Sequence, residues 1–214
     1  MADDGICPAP RPPLDAAFVT WDKGKPFHRI HPGEYGATLF NPSARGNARF
    51  SPVKDASGAV IATIYGGTTF ECAAMETVFR DVPFAAGPKI VWKARLHDLA
   101  HSIIVPTTDL KLVDFSTVGL RRLGVRRNQL IDTEATQYTA TRRWAEMLYA
   151  QYPDIQGLQW VSRQDDRAMA IVLFESRIGA GTLQQQGTSL SLHGDRPTYA
   201  ALLELAQAMN VDVI

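Results

Sequence analysis

Hydrophobic residues recur along this chain with two different spacings, and each spacing predicts its own kind of element. Short runs rich in β-branched and aromatic residues are typical of β-strands. Five runs fit that description: VIATIY (60–65), IVWKARL (90–96), SIIVP (102–106), GLQWVS (157–162) and AMAIVLF (168–174). Because these runs are interspersed with helical patterns, the chain is predicted to have an α+β fold.

Hydrophobic residues at intervals of three and four predict helices in other stretches. Three stretches follow this period: TTFECAAMETVF (68–79), TQYTATRRWAEMLYAQY (136–152) and, more weakly, LKLVDFSTVGLRRLG (110–124). In the first of these, Thr68 followed three residues later by Glu71 is a capping-box pattern. PTYAALLELAQAMNV (197–211) begins with Pro197, a residue suited to the first helical position, and predicts a C-terminal helix.

Two segments lack any clear hydrophobic period. Residues 1–26 contain five prolines, which predicts an extended, partly mobile N-terminal arm. Residues 179–195 are polar and rich in glycine, which predicts a linker or a flexible hairpin. The predicted organisation is therefore a Pro-rich arm (1–26), a main α+β domain (27–178), and a linker followed by a C-terminal helix (179–214).

Composition indicates a globular protein but does not indicate a specific function. The 214 residues are 45% hydrophobic and 21% charged, which is ordinary for a globular domain, and no apolar run is long enough for a membrane span. Lysine plus arginine and aspartate plus glutamate both total 22, so the balanced charge gives no reason to expect direct binding to nucleic acid. The first residues lack the features of a secretory signal, and a cytoplasmic location is expected.

Two motifs of potentially reactive residues are set aside. Cys7 lies in the Pro-rich arm and Cys72 in a predicted helix, so the two form no disulfide framework and neither is predicted to be a nucleophile. HDLAH, from His97 to His101, is similar to a zinc motif that requires a helix. Because it lies between two strand-like runs and has no evident third ligand, no metal is expected.

Glu76 raises the functional question, because its helical neighbours describe a surface that faces inward. The residues three and four positions away are Cys72, Ala73, Phe79 and Arg80. A carboxylate in this position needs a partner. An ion pair with Arg80, four residues further on, is one interpretation, and a role in binding or catalysis is the other. The helix alone does not decide between them.

Residues outside this helix favour the functional interpretation. Tyr65 ends a predicted strand that leads through two glycines into the helix, an arrangement that forms a cleft where backbone can approach a ligand. Arg29 and Arg49 lie beside bulky apolar residues, which predicts half-buried guanidinium groups that need an anionic partner. Structural ion pairs are the alternative for either arginine. Ser162 lies at a strand end without the Gly-x-Ser-x-Gly elbow of a serine hydrolase.

Five segments, taken in order, resemble the RES domain, a family named for its Arg, Glu and Ser. They are RFSP, IYGGTTFECAAMETVFRD, YTATRRWA, QWVSRQ and AIVLFESR, and the resemblance spans residues 27–178. It implies a fold like that of ADP-ribosyltransferases, with a mixed sheet core and flanking helices. It also implies an activity that consumes NAD⁺, either by degrading it or by transferring ADP-ribose to a protein. RES proteins are typically toxins whose partner is an Xre-type antitoxin.

The resemblance also implies roles for individual residues. Arg29 and Arg49 match the family's arginines and would orient the pyrophosphate. Tyr65 matches its tyrosine and would stack on the nicotinamide or its ribose. Glu76 would stabilise an oxocarbenium-like transition state, and Ser162 would be a positioning hydrogen-bond donor. The implied catalytic residues are Glu76, Arg29 and Tyr65, and NAD⁺ would be held by Arg29, Arg49, Tyr65 and Ser162.

The resulting hypothesis is an NAD⁺-consuming toxin that cleaves the nicotinamide–ribose bond and is neutralised by an Xre-type antitoxin. Hydrolysis, phosphorolysis and transfer to a protein differ only in the acceptor, and a protein acceptor and a homo-oligomer are further expectations. The alternative is a non-catalytic interaction module with a vestigial cleft, in which RRLGVRR (121–127) and the C-terminal helix bind a protein. The simplest interpretation of that basic run is a solvated helix end.

Overall fold

The computed structural model describes residues 5–83 and 86–214, and it has a mixed α+β fold with a C-terminal helix, as predicted. The strands are β1 (Phe18–Trp21), β2 (Phe27–Pro32), β3 (Val53–Lys54), β4 (Val60–Ile61), β5 (Thr63–Gly67), β6 (Lys89–Val91), β7 (Leu99–Pro106), β8 (Leu110–Asp114), β9 (Gly157–Val161), β10 (Met169–Phe174), β11 (Leu183–Ser191) and β12 (Val211–Val213). The α-helices are α1 (Phe70–Thr77), α2 (Thr117–Leu123), α3 (Arg127–Leu130), α4 (Tyr138–Gln151) and α5 (Arg196–Ala208).

Eight strands form one large mixed sheet in the order β1-β8-β9-β10-β5-β2-β7-β11. β8 and β9 are parallel, so the chain between them crosses over the sheet and carries α2, α3 and α4. The other neighbours in this sheet are antiparallel. Within the described residues the ladder between β2 and β5 consists of a single pair, His28 opposite Gly67. Where these two strands separate, the sheet leaves room for a cavity.

The turn from β5 into α1 requires two glycines. A Cβ on Gly66 would lie 2.4 Å from the Phe27 ring, and a Cβ on Gly67 would lie 2.6 Å from Cys72 Sγ. The capping residue differs by one position from the predicted one. Thr69, not Thr68, caps α1 by accepting a hydrogen bond from the backbone N–H of Cys72 at 3.0 Å.

The C-terminal elements pack against the hydrophobic face of α1. One hydrophobic cluster combines the inward face of α1 with side chains of α5 and of the small parallel sheet formed by β6 and β12. Leu202 of α5 is fully buried in this cluster beside residues of α1 that include Ala74 and Met75. The helix that carries Glu76 therefore rests on the tail of the chain.

The predicted linker is wrong, because residues 183–191 form strand β11 at the edge of the large sheet, paired with β7. The predicted mobile arm is also wrong for the residues that the structure describes. Cys7 and Leu14 are buried in the core, the Trp144 indole donates to the Pro8 carbonyl at 2.8 Å, and β1 pairs with β8. Both flanking segments belong to the domain, and residues 1–4 lie outside the described part.

Two other predicted elements change type along their length. The helix predicted over 110–124 is strand β8 followed by α2, because Ser116 caps a new helix by accepting from the Gly119 N–H. The strand predicted over 90–96 is confined to β6, and the chain then turns into a 3₁₀ helix over Lys93–Leu96. The strand predicted over 60–65 is divided between β4, which pairs with β3 in a small separate sheet, and β5 of the large sheet. The remaining predicted strands and helices are confirmed.

Among the described residues, none of the helices combines the length and hydrophobicity that crossing a bilayer requires. His97 is exposed after the 3₁₀ helix, whereas His101 lies in β7 with its Nε2 2.9 Å from His28 Nδ1. Across residues 5–83 and 86–214 there is no cluster of three or more histidine, cysteine, aspartate or glutamate side chains suited to a metal ion.

Candidate active site

A cavity of about 290 Å³ lies between β2, β5 and α1, where the large sheet opens. Its volume is close to the lower end of the range for small-molecule sites, roughly 300–1,000 Å³. Arg49, Tyr65 and Glu76 line this cavity together with Tyr138 and Trp160. Three residues that the sequence singled out therefore share one site.

Glu76 lies in the last turn of α1, and its carboxylate is held from one side by Ser162. The Ser162 hydroxyl donates to Glu76 Oε1 at 2.6 Å, and the Glu76 side chain is 15% exposed. The same hydroxyl oxygen accepts the backbone N–H groups of Gln164 and Asp165, each at 3.1 Å. Because both of its acceptor positions are occupied in this way, the one hydroxyl hydrogen is committed to Glu76. Ser162 is fully buried and acts as an orienting group.

The other oxygen of Glu76 faces a guanidinium. Arg49 Nη1 lies 4.0 Å from Glu76 Oε2, which is longer than a hydrogen bond and leaves both charges able to contact a ligand. The predicted alternative, a pair between Glu76 and Arg80, is not the arrangement found. Arg80 instead forms an ion pair with Asp81 at 3.2 Å.

Arg49 is buried and incompletely paired. It is 6% exposed, its Cζ lies 5.6 Å from the centre of the Tyr138 ring, and its carbonyl accepts a hydrogen bond from Thr141 Oγ1. Within the described residues, Arg49 Nε and Trp160 Nε1 are buried donors without a partner. Buried donors are usually satisfied, so leaving these two N–H groups without an acceptor costs stability.

Tyr65 forms part of the cavity from β5. Its ring packs edge-on against Trp160 at 6.1 Å, and its hydroxyl accepts the Phe50 backbone N–H at 3.3 Å. Burial raises the pKa of Tyr65 to about 12, so the phenol stays protonated at neutral pH. Burial likewise raises the pKa of the Cys72 thiol to about 12, which leaves no thiolate for nucleophilic chemistry.

Arg29 is the candidate that the structure does not bring to the cavity lining. It is 8% exposed, and its Nη1 donates to the carbonyl oxygen of Ala37 at 2.5 Å. Burial lowers its pKa to about 10, which still leaves it charged at neutral pH. Ile30, its neighbour in β2, lines the cavity instead, because successive side chains of a strand point to opposite faces.

Among the lining residues that were not predicted as site residues, three carry aromatic or amide side chains. Tyr138 belongs to the apolar face of α4, Trp160 lies in the predicted strand 157–162, and Asn41 lies in the segment after β2. Helical periodicity marks Tyr138 as inward-facing, and that was the available signal. The sequence pattern does not distinguish an inward residue in the core from one that borders a cavity.

The fold of this chain is also found in a known toxin–antitoxin complex. The structure is similar to the crystal structure of the M. tuberculosis MbcT–MbcA toxin–antitoxin complex, with a TM-score of 0.63 and 17% sequence identity over 88% of this chain and 92% of that chain. Among curated proteins, none matches the sequence significantly. The sequence profile of the RES domain matches residues 26–195, which includes β11 as well as every candidate site residue. The chain therefore belongs to the RES domain family.

Proposed function

We propose that this protein is an NAD⁺-consuming toxin that cleaves the bond between nicotinamide and ribose. One observation carries the proposal: within one cavity of a RES domain, the carboxylate of Glu76, oriented by a serine, faces the buried and incompletely paired guanidinium of Arg49. A carboxylate suits a reacting centre that becomes positive, and a guanidinium suits a pyrophosphate. NAD⁺ contains both features.

The chemistry that this arrangement supports is the breaking of an N-glycosidic bond. When the bond between ribose C1′ and the nicotinamide nitrogen breaks, both electrons leave with the ring, and nicotinamide departs neutral. The ribose carbon becomes positively charged, and the fixed carboxylate of Glu76 stabilises that charge. An acceptor with a lone pair then bonds to C1′, and it loses a proton if it is water.

Arg49 and Tyr65 have binding roles in this proposal. The Arg49 guanidinium lines the cavity, and its terminal N–H groups, of which Nη1 lies 4.0 Å from Glu76 Oε2, would donate to a phosphate oxygen of the substrate. The Tyr65 ring, which lines the cavity, would pack against the nicotinamide or its ribose. Arg29 is not among the lining residues, and its contact with Ala37 suits it to hold the segment after β2.

The decisive experiment follows free nicotinamide by chromatography after incubation of the purified protein with NAD⁺. We expect release by the wild type and a fall in kcat of about 100-fold or more for Glu76→Gln, since removing one group that stabilises transition-state charge costs on the order of 10²–10³. Glu71→Gln is the matched control, because Glu71 is an exposed carboxylate in the first turn of the same helix. Equal rates for both variants would remove Glu76 from the mechanism.

The acceptor is a separate question, to be answered by mass spectrometry of the products. ADP-ribose indicates hydrolysis, a phosphorylated ADP-ribose formed only with phosphate indicates phosphorolysis, and a modified polypeptide in lysate indicates transfer. No nicotinamide release under any of these conditions, together with no heat of NAD⁺ binding by calorimetry, would favour the non-catalytic module instead.

We also propose that an Xre-type antitoxin controls this activity by covering the cavity. The similar M. tuberculosis fold is from a toxin–antitoxin complex, which supports a protein partner of this kind. A carboxylate from such a partner would pair with the guanidinium of Arg49, which lines the cavity. An equimolar Xre-type antitoxin should then stop nicotinamide release, and a structure of the complex with Arg49 untouched would contradict this mode of binding.

A further inference from the structure

Arg127 is the last residue of the basic run RRLGVRR (121–127). It contacts the backbone of Ser162 but does not line the cavity. Its Nη2 donates to the carbonyl oxygen of Ser162 at 3.0 Å, and its Nε lies 3.2 Å from the carboxylate of Asp132. The guanidinium is thus held between an acidic side chain and the backbone of the serine that orients Glu76. The Arg127 side chain is partly buried, so it is not a fully solvated residue at a helix end, and it is not among the residues that line the cavity.

The contact between Arg127 and Ser162 matters because the Ser162 hydroxyl holds the Glu76 carboxylate only when it points towards it. Its N–H donates to the Ala168 carbonyl at 2.9 Å, which closes the turn between β9 and β10. Its hydroxyl contacts the N–H groups inside that turn and Glu76 outside it. The Arg127 guanidinium ties the Ser162 carbonyl to α3, outside the turn. Gln164 and Arg163 also anchor this turn, through the carbonyls of Arg80 and Thr133, but the Arg127 contact is made to the Ser162 carbonyl itself, so its loss loosens the serine directly.

We propose that Arg127 is a positioning residue for the reaction: it fixes Ser162, which in turn fixes the carboxylate of Glu76. The inference rests on the proposed NAD⁺ cleavage, and it adds a residue that touches neither the cavity nor Glu76. Because Arg127 acts through the orientation of the reacting centre, its loss lowers kcat. KM is spared, because Arg49 and Tyr65, which are proposed to bind the substrate, are not in the chain of contacts that Arg127 controls.

The test compares Arg127→Met, which keeps much of the apolar stem, with Arg121→Met, an exposed arginine in the same basic run. We expect Arg127→Met to lower kcat for nicotinamide release by about 10-fold to 100-fold with KM within about 3-fold, as for small displacements of a catalytic group. Arg121→Met should match the wild type. Arg127→Lys, which keeps one charged donor, should recover part of kcat.

Two further measurements separate positioning from a general loss of structure. Ser162→Ala and Arg127→Met should be non-additive, because both act on the same hydroxyl–carboxylate contact. If Arg127→Met fails to fold, the lysine variant and its double mutant with Ser162→Ala carry the same comparison. A wild type that is active and indistinguishable from Arg127→Met would refute the positioning role alone.

A crystal structure of the Arg127 variant supplies a readout that does not depend on activity. We expect the Ser162 Oγ to Glu76 Oε1 distance to lengthen beyond the 2.6 Å seen here. An unchanged distance would overturn the inference even if the wild type releases no nicotinamide. Absence of release by the wild type, with the predicted displacement present, would instead overturn the proposed function and leave the contact chain as a structural fact.

Discussion

Replacing Leu202 by alanine tests whether the tail is an integral part of the domain that holds Glu76. Leu202 is fully buried in the cluster that α5 shares with α1. Leu203, the next residue on α5, is 37% exposed. The two substitutions remove the same atoms from adjacent positions of one helix, so their difference isolates the contribution of burial against α1.

The expected magnitudes follow from these exposures. A fully buried Leu→Ala change costs about 2–5 kcal/mol, because the lost transfer free energy is joined by the cost of a cavity. The helix propensities of leucine and alanine differ by only a few tenths of a kcal/mol. At Leu203 the partial exposure leaves a cost of about 1 kcal/mol or less. For a chain of 214 residues, each kcal/mol shifts Tm by about 2–4 °C.

Differential scanning calorimetry of the three proteins at one pH provides the assay. We expect Leu202→Ala to lower Tm by about 6–12 °C, taking about 3 kcal/mol for the cost, and Leu203→Ala to lower it by about 4 °C or less. Urea unfolding monitored by tryptophan fluorescence should show one cooperative transition in each case. Equal Tm shifts, or a separate early transition of the tail, would refute the claim that α5 and α1 share one core.

Three further predictions concern the site and its surroundings. Gly67→Ala should cost about 1–3 kcal/mol of unfolding free energy in a urea titration, since its Cβ would lie 2.6 Å from Cys72 Sγ, whereas Gly36→Ala, with nothing within 4 Å, should change little. Burial lowers the pKa of His101 from 6.5 to about 4. Between these two pH values the unfolded chain binds a proton at His101 that the folded chain does not bind, so a fall in pH favours unfolding. Stability should therefore drop by at most about 3 kcal/mol between these pH values, and a His101→Phe variant that shows the same drop in calorimetry would argue against this source. Tyr65→Phe should keep KM for NAD⁺ within about 3-fold while Tyr65→Leu raises it about tenfold, and equal values for the two variants would count against ring stacking.

Hydrophobic periodicity predicted the elements that have one buried face, and it failed where that condition does not hold. Strand β11 is exposed along nearly its whole length, so its side chains carry no alternation. Its extended conformation comes from main-chain hydrogen bonds to β7, which no side-chain pattern records. The N-terminal arm was mistaken for a mobile segment for a related reason. Proline-rich chain without a period can still pack when other elements supply its partners, as Trp144 does for Pro8.

The candidate site was predictable in part. Glu76 was singled out because a carboxylate on an inward helix face needs a partner, and the structure places Ser162 and Arg49 beside it. Arg29 was grouped with Arg49 because both lie among bulky residues, yet the two side chains contact different groups. Which face of a strand borders a cavity depends on where neighbouring strands separate. That information is not contained in the local sequence.

The order in which the site is assembled along the chain has a consequence for biosynthesis. Arg49, Tyr65 and Glu76 leave the ribosome early, whereas Ser162 follows Glu76 by 86 positions. The hydrophobic cluster on the inward face of α1 is completed only when α5 and β12 have also emerged. A nascent chain therefore carries the acidic residue without its orienting partner or its supporting core. The lining of the cavity becomes complete only when synthesis has passed Ala170 of β10, so an inhibitor that recognises the assembled cavity can engage it only after translation of that strand.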